Sequence, residues 1–249
     1  MDAKKYLDRI NFSDTPSADL QSLKKLQLLH LLNVPFENLS IHYNEPIILQ
    51  LELLFNKIVN RKRGGFCYEL NGLFAALLRQ LGFNVSMLSA GVANSNGVFG
   101  PDFDHMALMA LLDERYLVDV GFGDSFLQPL LLDERGIQIQ GERSYQIEEK
   151  GSYFILKERK PGSDWKPQYR FGLQPYRIND FDKMCRYHQT SPESHFTQKR
   201  ICSIAKPGGR ISLSDMRLIE TTGVEKKERI LKDEDEYKSV LQKEFGVIL

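Results

Sequence analysis

The sequence contains few cysteines and no long apolar segment. Its three cysteines, Cys67, Cys185 and Cys202, are odd in number and form no CxxC pair, which argues against a disulfide framework and against a zinc site. We therefore expect free thiols and a cytoplasmic protein, because thiols persist in a reducing compartment. No apolar run approaches the roughly 20 residues that a membrane span needs, and the first residues lack the apolar core of a signal peptide.

An excess of one charge is also missing, since 33 basic residues balance 33 acidic ones. This balance gives no reason to expect a nucleic acid or an anionic membrane as a partner. Hydrophobic residues make up 42% of the chain and charged residues 27%, which is ordinary for a globular protein. We expect a folded chain that is a monomer or a weak dimer.

The chain divides into three parts that differ in their pattern of apolar and polar residues. Residues 1–84 are predicted to be helical, with helices over 19–32, 51–59 and 67–81, because leucines and other apolar residues recur there at helical spacing. Residues 85–180 are predicted to form a meander or small barrel of antiparallel strands. The predicted strands cover 84–92, 105–113, 115–122, 143–159 and 169–176.

Residues 181–249 are predicted to form a mixture of short strands and helical segments. Residues 206–210 predict a hairpin turn, because Pro and two Gly follow one another there. The charged segment 225–249 predicts an amphipathic helix. Its expected packing face consists of Ile230, Leu231, Tyr237, Val240 and Leu241.

Cys67 lies where a glycine-containing loop, Arg63-Gly64-Gly65-Phe66, opens into the third predicted helix. A helix N-terminus presents free N–H groups and a partial positive charge, which favour a thiolate and hence a nucleophile. Gly64 and Gly65 are predicted to let the backbone approach a substrate, with nearby N–H groups holding an oxyanion. A cysteine at the start of a buried helix can equally be a packing residue.

His105 and Asp119 strengthen the catalytic interpretation of Cys67. His105 begins one predicted strand and Asp119 lies near the end of the next, so a hairpin at 113–114 brings both to the same sheet edge. An aspartate that accepts from one imidazole nitrogen fixes the tautomer and leaves the other nitrogen for a thiol. The order Cys, His, Asp is papain-like, and we predict these three residues to be catalytic.

Four segments, HLLNVPFENLSI, RGGFCYELNGLF, DHM and VDVGFGD, follow one another in the sequence. Their order and spacing resemble the signature segments of the arylamine N-acetyltransferases of bacterial type. The resemblance is strong over about the first 130 residues. It implies an α+β fold with an N-terminal helical bundle (1–84), a central antiparallel β-barrel (85–180) and a C-terminal α/β lid (181–249). The catalytic core would be papain-like or transglutaminase-like.

The resemblance also implies a ping-pong reaction without a permanently bound cofactor. Cys67 would attack acetyl-CoA, the co-substrate, and form an acetyl-cysteine. The acetyl group would then pass to the nitrogen of an arylamine or arylhydrazine, or to the oxygen of an N-hydroxyarylamine. The thiolate and His105 suit both half-reactions.

Further roles come from the resemblance alone. Phe36 corresponds to an aromatic residue of the substrate pocket, Phe122 and Gly123 follow the catalytic Asp where substrates approach, and Phe103 lies in the loop before His105. Near the site, the residues expected to be structural and to tie the catalytic loop are Arg63, Glu37 and Asn38. Asp124 departs from this picture, since a carboxylate there would repel the pyrophosphate of CoA unless it points away.

Three alternatives remain open from the residues. A transglutaminase-like cysteine hydrolase uses the same three residue types, and an amide synthase takes a different acyl donor. A binding protein that has lost the chemistry is the third. A metal site at His188 and His195 is not expected, because no third ligand stands at a useful spacing.

Overall fold

The computed structural model describes all 249 residues. Its N-terminal part is mainly helical, as predicted. The elements are α1 (Ala3–Arg9), α2 (Leu20–Asn33), the short strand β1 (Phe36–Glu37), α3 (Leu39–His42), α4 (Leu51–Phe55) and α5 (Cys67–Gln80). The helix predicted over 51–59 is divided, because α4 passes into a π-helical turn at Asn56–Asn60.

Helix α5 lies at the centre of the largest core. It is buried on nearly all sides over its first three turns, because α1 and α4 cover it from one direction and two barrel strands from the other. Burial on nearly all sides is typical of a helix in the interior of a protein. The start of α5, where Cys67 lies, is therefore held by packing from several elements.

The middle of the chain forms an eight-stranded antiparallel sheet that is nearly closed into a barrel. Its spatial order is β5-β4-β3-β2-β9-β8-β7-β6. The strands are β2 (Asn84–Val92), β3 (His105–Leu111), β4 (Arg115–Val118), β5 (Leu130–Leu131), β6 (Gln138–Gln140), β7 (Arg143–Lys150), β8 (Tyr153–Arg159) and β9 (Lys166–Tyr176).

Side-chain amides bridge the two edge strands of this sheet. The Oε1 atom of Gln138 accepts from the backbone N–H of Leu131 at 2.8 Å, and its Nε2 donates to the Leu131 carbonyl at 2.9 Å. Gln140 accepts in the same way from the N–H groups of Leu127 and Gln128. These amides take the place of backbone hydrogen bonds between β5 and β6. They pair backbone N–H and C=O groups that the edge of an open sheet would leave without partners.

The C-terminal part combines a second sheet with short helices. A 3₁₀ turn at Ile178–Phe181 leads into α6 (Asp182–Thr190) and α7 (His195–Gln198). The five-stranded sheet has the order β1-β10-β11-β12-β13, so a strand of the helical part completes it. Its other members, followed by the last helix, are β10 (Ile201–Lys206), β11 (Gly209–Ser214), β12 (Arg217–Thr222), β13 (Glu225–Ile230) and α8 (Glu234–Phe245).

The single helix predicted over 225–249 is wrong in its first part. Glu225–Ile230 pairs with β12 as an exposed edge strand, and Ile230, predicted to pack, is 66% exposed. Asp233 begins the helix instead, because its side chain accepts from the N–H of Glu236 at 2.9 Å. The other residues of the predicted packing face are buried, namely Leu231, Tyr237, Val240 and Leu241.

The prediction of an α+β fold with a helical N-terminal part, a β-barrel and a mixed C-terminal part is confirmed. No helix combines the length and the apolar character that crossing a bilayer requires.

Candidate active site

His105 and Asp119 meet at the edge of the barrel. Strands β3 and β4 pair in antiparallel register with Leu108 opposite Val118, and the chain continues from that pair to both residues. The Nε2 atom of His105 lies 2.7 Å from Oδ2 of Asp119, and both side chains are almost fully buried. Because the carboxylate engages Nε2, the tautomer with the proton on that nitrogen is favoured and Nδ1 remains the basic nitrogen.

Asn71 holds Asp119 from the other side. Its Nδ2 donates to Oδ1 of Asp119 at 2.9 Å and to the carbonyl of Met106 at 2.6 Å, while its Oδ1 accepts from the N–H of Val120. The N–H of Gly121 also donates to Oδ1 of Asp119, at 2.8 Å. Sequence reasoning assigned Asn71 no role. The available signal was its position four residues after Cys67, which places both on the same face of α5.

Cys67 is the first residue of α5 and is 3% exposed. The loop after Asp119 packs directly on it, since a Cβ atom at Gly121 would lie 2.7 Å from the Cα atom of Cys67. Only glycine permits this approach. The structure thus brings together the three residues that the sequence singled out, with Gly121 as the point of contact between helix and loop.

The electrostatics of Cys67 differ from the sequence-based expectation. Burial raises the pKa of its thiol; the backbone N–H of Met106 lowers this pKa, and the carboxylates of Asp104 and Asp119 raise it. The helix start was expected to lower the pKa, but the cost of placing a charge in a buried site is larger. A thiolate at this position therefore needs a compensating cation.

Gly64 and Gly65 serve the packing of the chain itself. A Cβ atom at Gly64 would lie 2.0 Å from the carbonyl oxygen of Pro35, and one at Gly65 would lie 2.8 Å from the side chain of Glu69. The prediction that these glycines open a path for a substrate does not fit this packing, because protein atoms already occupy the space beside both.

Four buried charged residues support the loop before Cys67. Arg63 donates through Nε to Glu37 at 3.0 Å, and Lys57 donates to both carboxylate oxygens of Glu69 at 2.8 and 3.0 Å. Glu69 in turn accepts from the N–H of Phe66 at 3.1 Å. Glu37 and Arg63, for which a structural role was expected, therefore form a buried ion pair beside this loop. Lys57 and Glu69 were not assigned, because their pairing is visible only in three dimensions.

Asn38 has different partners from those expected. Its Nδ2 donates to the carbonyls of Phe196 and Lys199, at 2.9 and 2.7 Å, and its Oδ1 accepts from the N–H of Ile201 at 2.7 Å. It therefore ties the helical part to the C-terminal part and makes no hydrogen bond to the loop before Cys67.

Three of the four predicted substrate-contacting residues are neighbours. The ring of Phe122 stands edge-on to that of His105, with centroids 5.3 Å apart. Gly123 has φ of +91° and faces Phe36, whose ring would lie 3.7 Å from a Cβ atom at this position. Because residue 123 has no side chain, the space between the ring of Phe36 and this loop is left free.

Phe103 lies in a different environment. Its ring packs against those of Tyr176 and Phe181, with centroids 4.8 and 5.2 Å apart. Its carbonyl accepts from the hydroxyl of Tyr68 at 2.7 Å. These contacts pack the partly buried Phe103 against the aromatic residues beside Tyr68, away from Phe36 and Phe122 in the contacts it makes.

Asp124 binds three cations at once. Its carboxylate lies 2.7 Å from Arg143, 3.0 Å from Lys160 and 3.1 Å from Arg210. Burial opposes ionisation, but the charges of Arg210, Arg143 and Lys160 hold the pKa of the carboxyl well below its usual range. Asp124 therefore fastens the loop after Asp119 to the barrel and to β11, and the expected repulsion of a phosphate is neutralised.

We expect Asp124→Asn to destabilise the fold, because the three cations lose their common partner. The loss should be only about 1 kcal/mol, because the Asp124 side chain is partly exposed. The pKa of Asp124 is depressed, so its contribution is present above the usual pKa and is lost only in strong acid. Urea unfolding at low and high salt measures the effect, which should shrink in salt. Asp133→Asn, which breaks an exposed pair with Arg115, is the control. Equal losses at both salt concentrations would contradict the electrostatic explanation.

The structure contains no group of three or more His, Cys, Asp or Glu side chains that is placed to hold a metal ion. His188 and His195 do not face a common site. His188 is buried beside Ser194, whereas His195 is exposed.

Comparison with protein families gives a match over residues 19–249 to the family model described as N-acetyltransferase. The chain is 35% identical to the arylamine N-acetyltransferase pineal gland isozyme NAT-3 of Gallus gallus, with 100% of this chain and 95% of the relative aligned. It is 31% identical to the arylamine N-acetyltransferase of Escherichia coli, with 97% and 87% aligned.

Solved structures give the same result. The Mycobacterium smegmatis arylamine N-acetyltransferase superposes with a TM-score of 0.93 at 30% identity, covering 99% of this chain and 92% of that one. The Mycobacterium marinum arylamine N-acetyltransferase in complex with CoA gives 0.91 at 29% identity, covering 99% and 93%. A Bacillus cereus arylamine N-acetyltransferase described by a Cys-His-Glu catalytic triad gives 0.92 at 25% identity, covering 100% of both chains.

Proposed function

The chain belongs to the arylamine N-acetyltransferase family, and we propose that it moves an acetyl group from acetyl-CoA to an acceptor by way of an acetyl-Cys67 intermediate. The acceptor is the nitrogen of an arylamine or arylhydrazine, or the oxygen of an N-hydroxyarylamine. The observation that carries this proposal is the buried His105–Asp119 pair beside the start of α5, where Cys67 lies. The complex of the Mycobacterium marinum relative with CoA supports the choice of donor.

The first half-reaction begins with proton transfer from Cys67 to Nδ1 of His105. Burial disfavours an isolated thiolate, so the thiolate and the imidazolium form as an ion pair, with Asp119 stabilising the imidazolium through Nε2. The thiolate attacks the thioester carbonyl of acetyl-CoA. The tetrahedral intermediate collapses, the C–S bond to CoA breaks, and the CoA thiolate takes the proton from His105.

The start of α5 supplies donors for the oxyanion of this intermediate. The N–H groups of Cys67 and Tyr68, in the first turn of the helix, make no hydrogen bond within the chain. First-turn N–H groups of a helix carry a partial positive charge and point toward its N-terminal end. Preorganised donors of this kind stabilise charge that develops in the transition state.

In the second half-reaction the amine nitrogen attacks the acetyl carbon of acetyl-Cys67. Nδ1 of His105 accepts the proton that the nitrogen loses, and the Cys67 thiolate leaves as the amide forms. The rings of Phe36 and Phe122 and the open space at Gly123 are suited to a flat aromatic acceptor beside His105. In the Bacillus cereus relative a Glu fills the third place of the triad, so a carboxylate in this role is compatible with the fold.

We expect that mixing the protein with acetyl-CoA, without an acceptor, adds one acetyl group to Cys67 and releases free CoA. Mass spectrometry of the intact protein and of its peptides measures this directly. Cys67→Ser should give no adduct, whereas Cys202→Ser, which alters a buried thiol outside the site, should label like the wild type.

The same experiment separates the alternatives. Release of acetate at the rate of CoA release, without acceptor, would indicate a cysteine hydrolase and contradict the transferase proposal. A larger acyl thioester that outcompetes acetyl-CoA for Cys67 would indicate an amide synthase. No adduct with any thioester would indicate a protein that lacks the chemistry.

A further inference from the structure

A second His–Asp pair lies next to the candidate active site and has no part in the two half-reactions. The Nε2 atom of His188, on α6, lies 3.2 Å from Oδ1 of Asp104, the residue that precedes His105. The two atoms are within ion-pair distance but lack hydrogen-bond geometry, so the contact is an ion pair when the imidazole carries a proton. The Nδ1 atom of His188 lies 3.0 Å from the hydroxyl of Ser194. His188 is buried and is held from both sides of its ring.

This pair is connected to the nucleophile. The hydroxyl of Tyr68, the neighbour of Cys67, donates to the carbonyls of Phe103 and Asp104 at 2.7 and 3.1 Å. The ring of Tyr68 stacks on that of His188, with centroids 6.1 Å apart. The Asp104 carboxylate also accepts from the N–H of Val92 at 3.1 Å, which keeps it in place beside β2.

Asp104 is therefore a fixed negative charge close to the thiol. Its carboxylate is among the groups that raise the pKa of Cys67, because like charges disfavour one another in a buried site. A cation beside Asp104 reverses part of this effect. His188 is the side chain that the structure places within ion-pair distance of Asp104.

We propose that His188 is a positioning residue that neutralises Asp104 and thereby favours the Cys67 thiolate, so that the C-terminal part of the chain takes part in setting the reactivity of the nucleophile. The inference rests on the function proposed above, since it assigns a further residue to the same site. The titratable groups packed against His188 are Asp104 from the loop before β3, Tyr68 from α5 and Tyr187 from its own helix.

The test is the rate at which iodoacetamide alkylates Cys67 across a pH series, with peptides analysed by mass spectrometry. This rate reports thiolate and does not depend on acetyl-CoA, so a failure of the proposed acetyl transfer would be seen separately. We expect His188→Gln to slow alkylation about threefold to tenfold at neutral pH, corresponding to a rise of at most about one unit in the pKa of Cys67. The difference from the wild type should vanish at high pH, where the Cys67 thiol is ionised in both proteins.

Asp104→Asn should act in the opposite direction and speed alkylation, because it removes the negative charge while the amide oxygen, in the place of Oδ2, still accepts from the N–H of Val92. The double variant should behave like Asp104→Asn alone, because His188 then has no carboxylate to neutralise. His195→Gln, which alters an exposed histidine seven residues away, is the matched control and should not change the rate.

A purely structural role for His188 gives a different pattern. Both single variants would then slow alkylation, the losses would add in the double variant, and the thermal melting temperature would fall in parallel. Slower alkylation in Asp104→Asn would overturn the proposal, as would an additive double variant.

Discussion

Asp119→Asn is expected to lower kcat roughly ten-thousand-fold, a large effect for a change that keeps the nucleophile and the shape of the site. The N–H groups of Asn71 and Gly121 both donate to Oδ1 of Asp119. An asparagine must therefore keep its oxygen there and turn its NH₂ group toward Nε2 of His105. Nε2 then has to accept, so the imidazole proton moves to Nδ1, which is no longer able to take the proton of Cys67.

Asp119→Glu is the matched control, because it keeps the negative charge and the acceptor toward Nε2. We expect it to lose less than Asp119→Asn, although its longer side chain strains the contact with Asn71. Steady-state transfer from acetyl-CoA and iodoacetamide alkylation of Cys67 measure both variants, with thermal melts to exclude unfolding. Equal activity of the Asn variant and the wild type would show that His105 works without its carboxylate.

Lys57→Met should destabilise the fold by about 3–5 kcal/mol, the largest effect expected on stability. Lys57 donates to both carboxylate oxygens of Glu69, and both side chains are buried. Removing one partner leaves a buried charge without compensation. For a chain of this size the loss corresponds to a fall in melting temperature of roughly 10 °C.

The pH dependence of this variant follows from Glu69. Burial raises the pKa of Glu69, and Lys57 lowers it, so the variant raises this pKa further. An acid whose pKa is raised by folding loses stability as pH rises above its unfolded value, because the native state then binds more protons than the unfolded state. The deficit of Lys57→Met should therefore be larger at pH 8 than at pH 5.

Two comparisons make the stability result decisive. Lys25→Met, which breaks an exposed pair with Asp14, should cost no more than about 1 kcal/mol. Lys57→Met combined with Glu69→Gln should recover part of the loss, since the amide oxygen still accepts from the N–H of Phe66, and the buried charges that remain, Glu37 and Arg63, pair with each other. A Lys57→Met deficit as small as that of Lys25→Met would contradict the structural role of the network.

Hydrophobic periodicity and the order of residues along the chain predicted several features of the fold and of the candidate site. Helix α5 and strand β2 lie close to where the sequence predicts them, because leucines at helical spacing and a β-branched run bounded by turn residues are local signals. The pairing of His105 with Asp119 was also predictable, since a short hairpin between two strands leaves few possible registers. The choice of Cys67 as the proposed nucleophile followed from the helix start and the family resemblance together.

Other features depended on distances that no local pattern encodes. Segment 225–230 is a strand because β12 offers it a partner, and its charged residues give no strand signal. Phe103 packs against Tyr176 and Phe181, which are more than 70 residues away in the chain.

The sequence by itself singled out Cys67, His105 and Asp119, the residues proposed to carry the chemistry, and it determined the class of fold that presents them. Only the tertiary structure decided how they are supported: Asn71 holds Asp119, Lys57 pairs with Glu69, and His188 faces Asp104. It also decided that burial raises the pKa of Cys67, contrary to the helix-start argument. Hydrophobic period and turn chemistry act between neighbours in the chain, whereas desolvation and charge pairing depend on everything that surrounds a group in space.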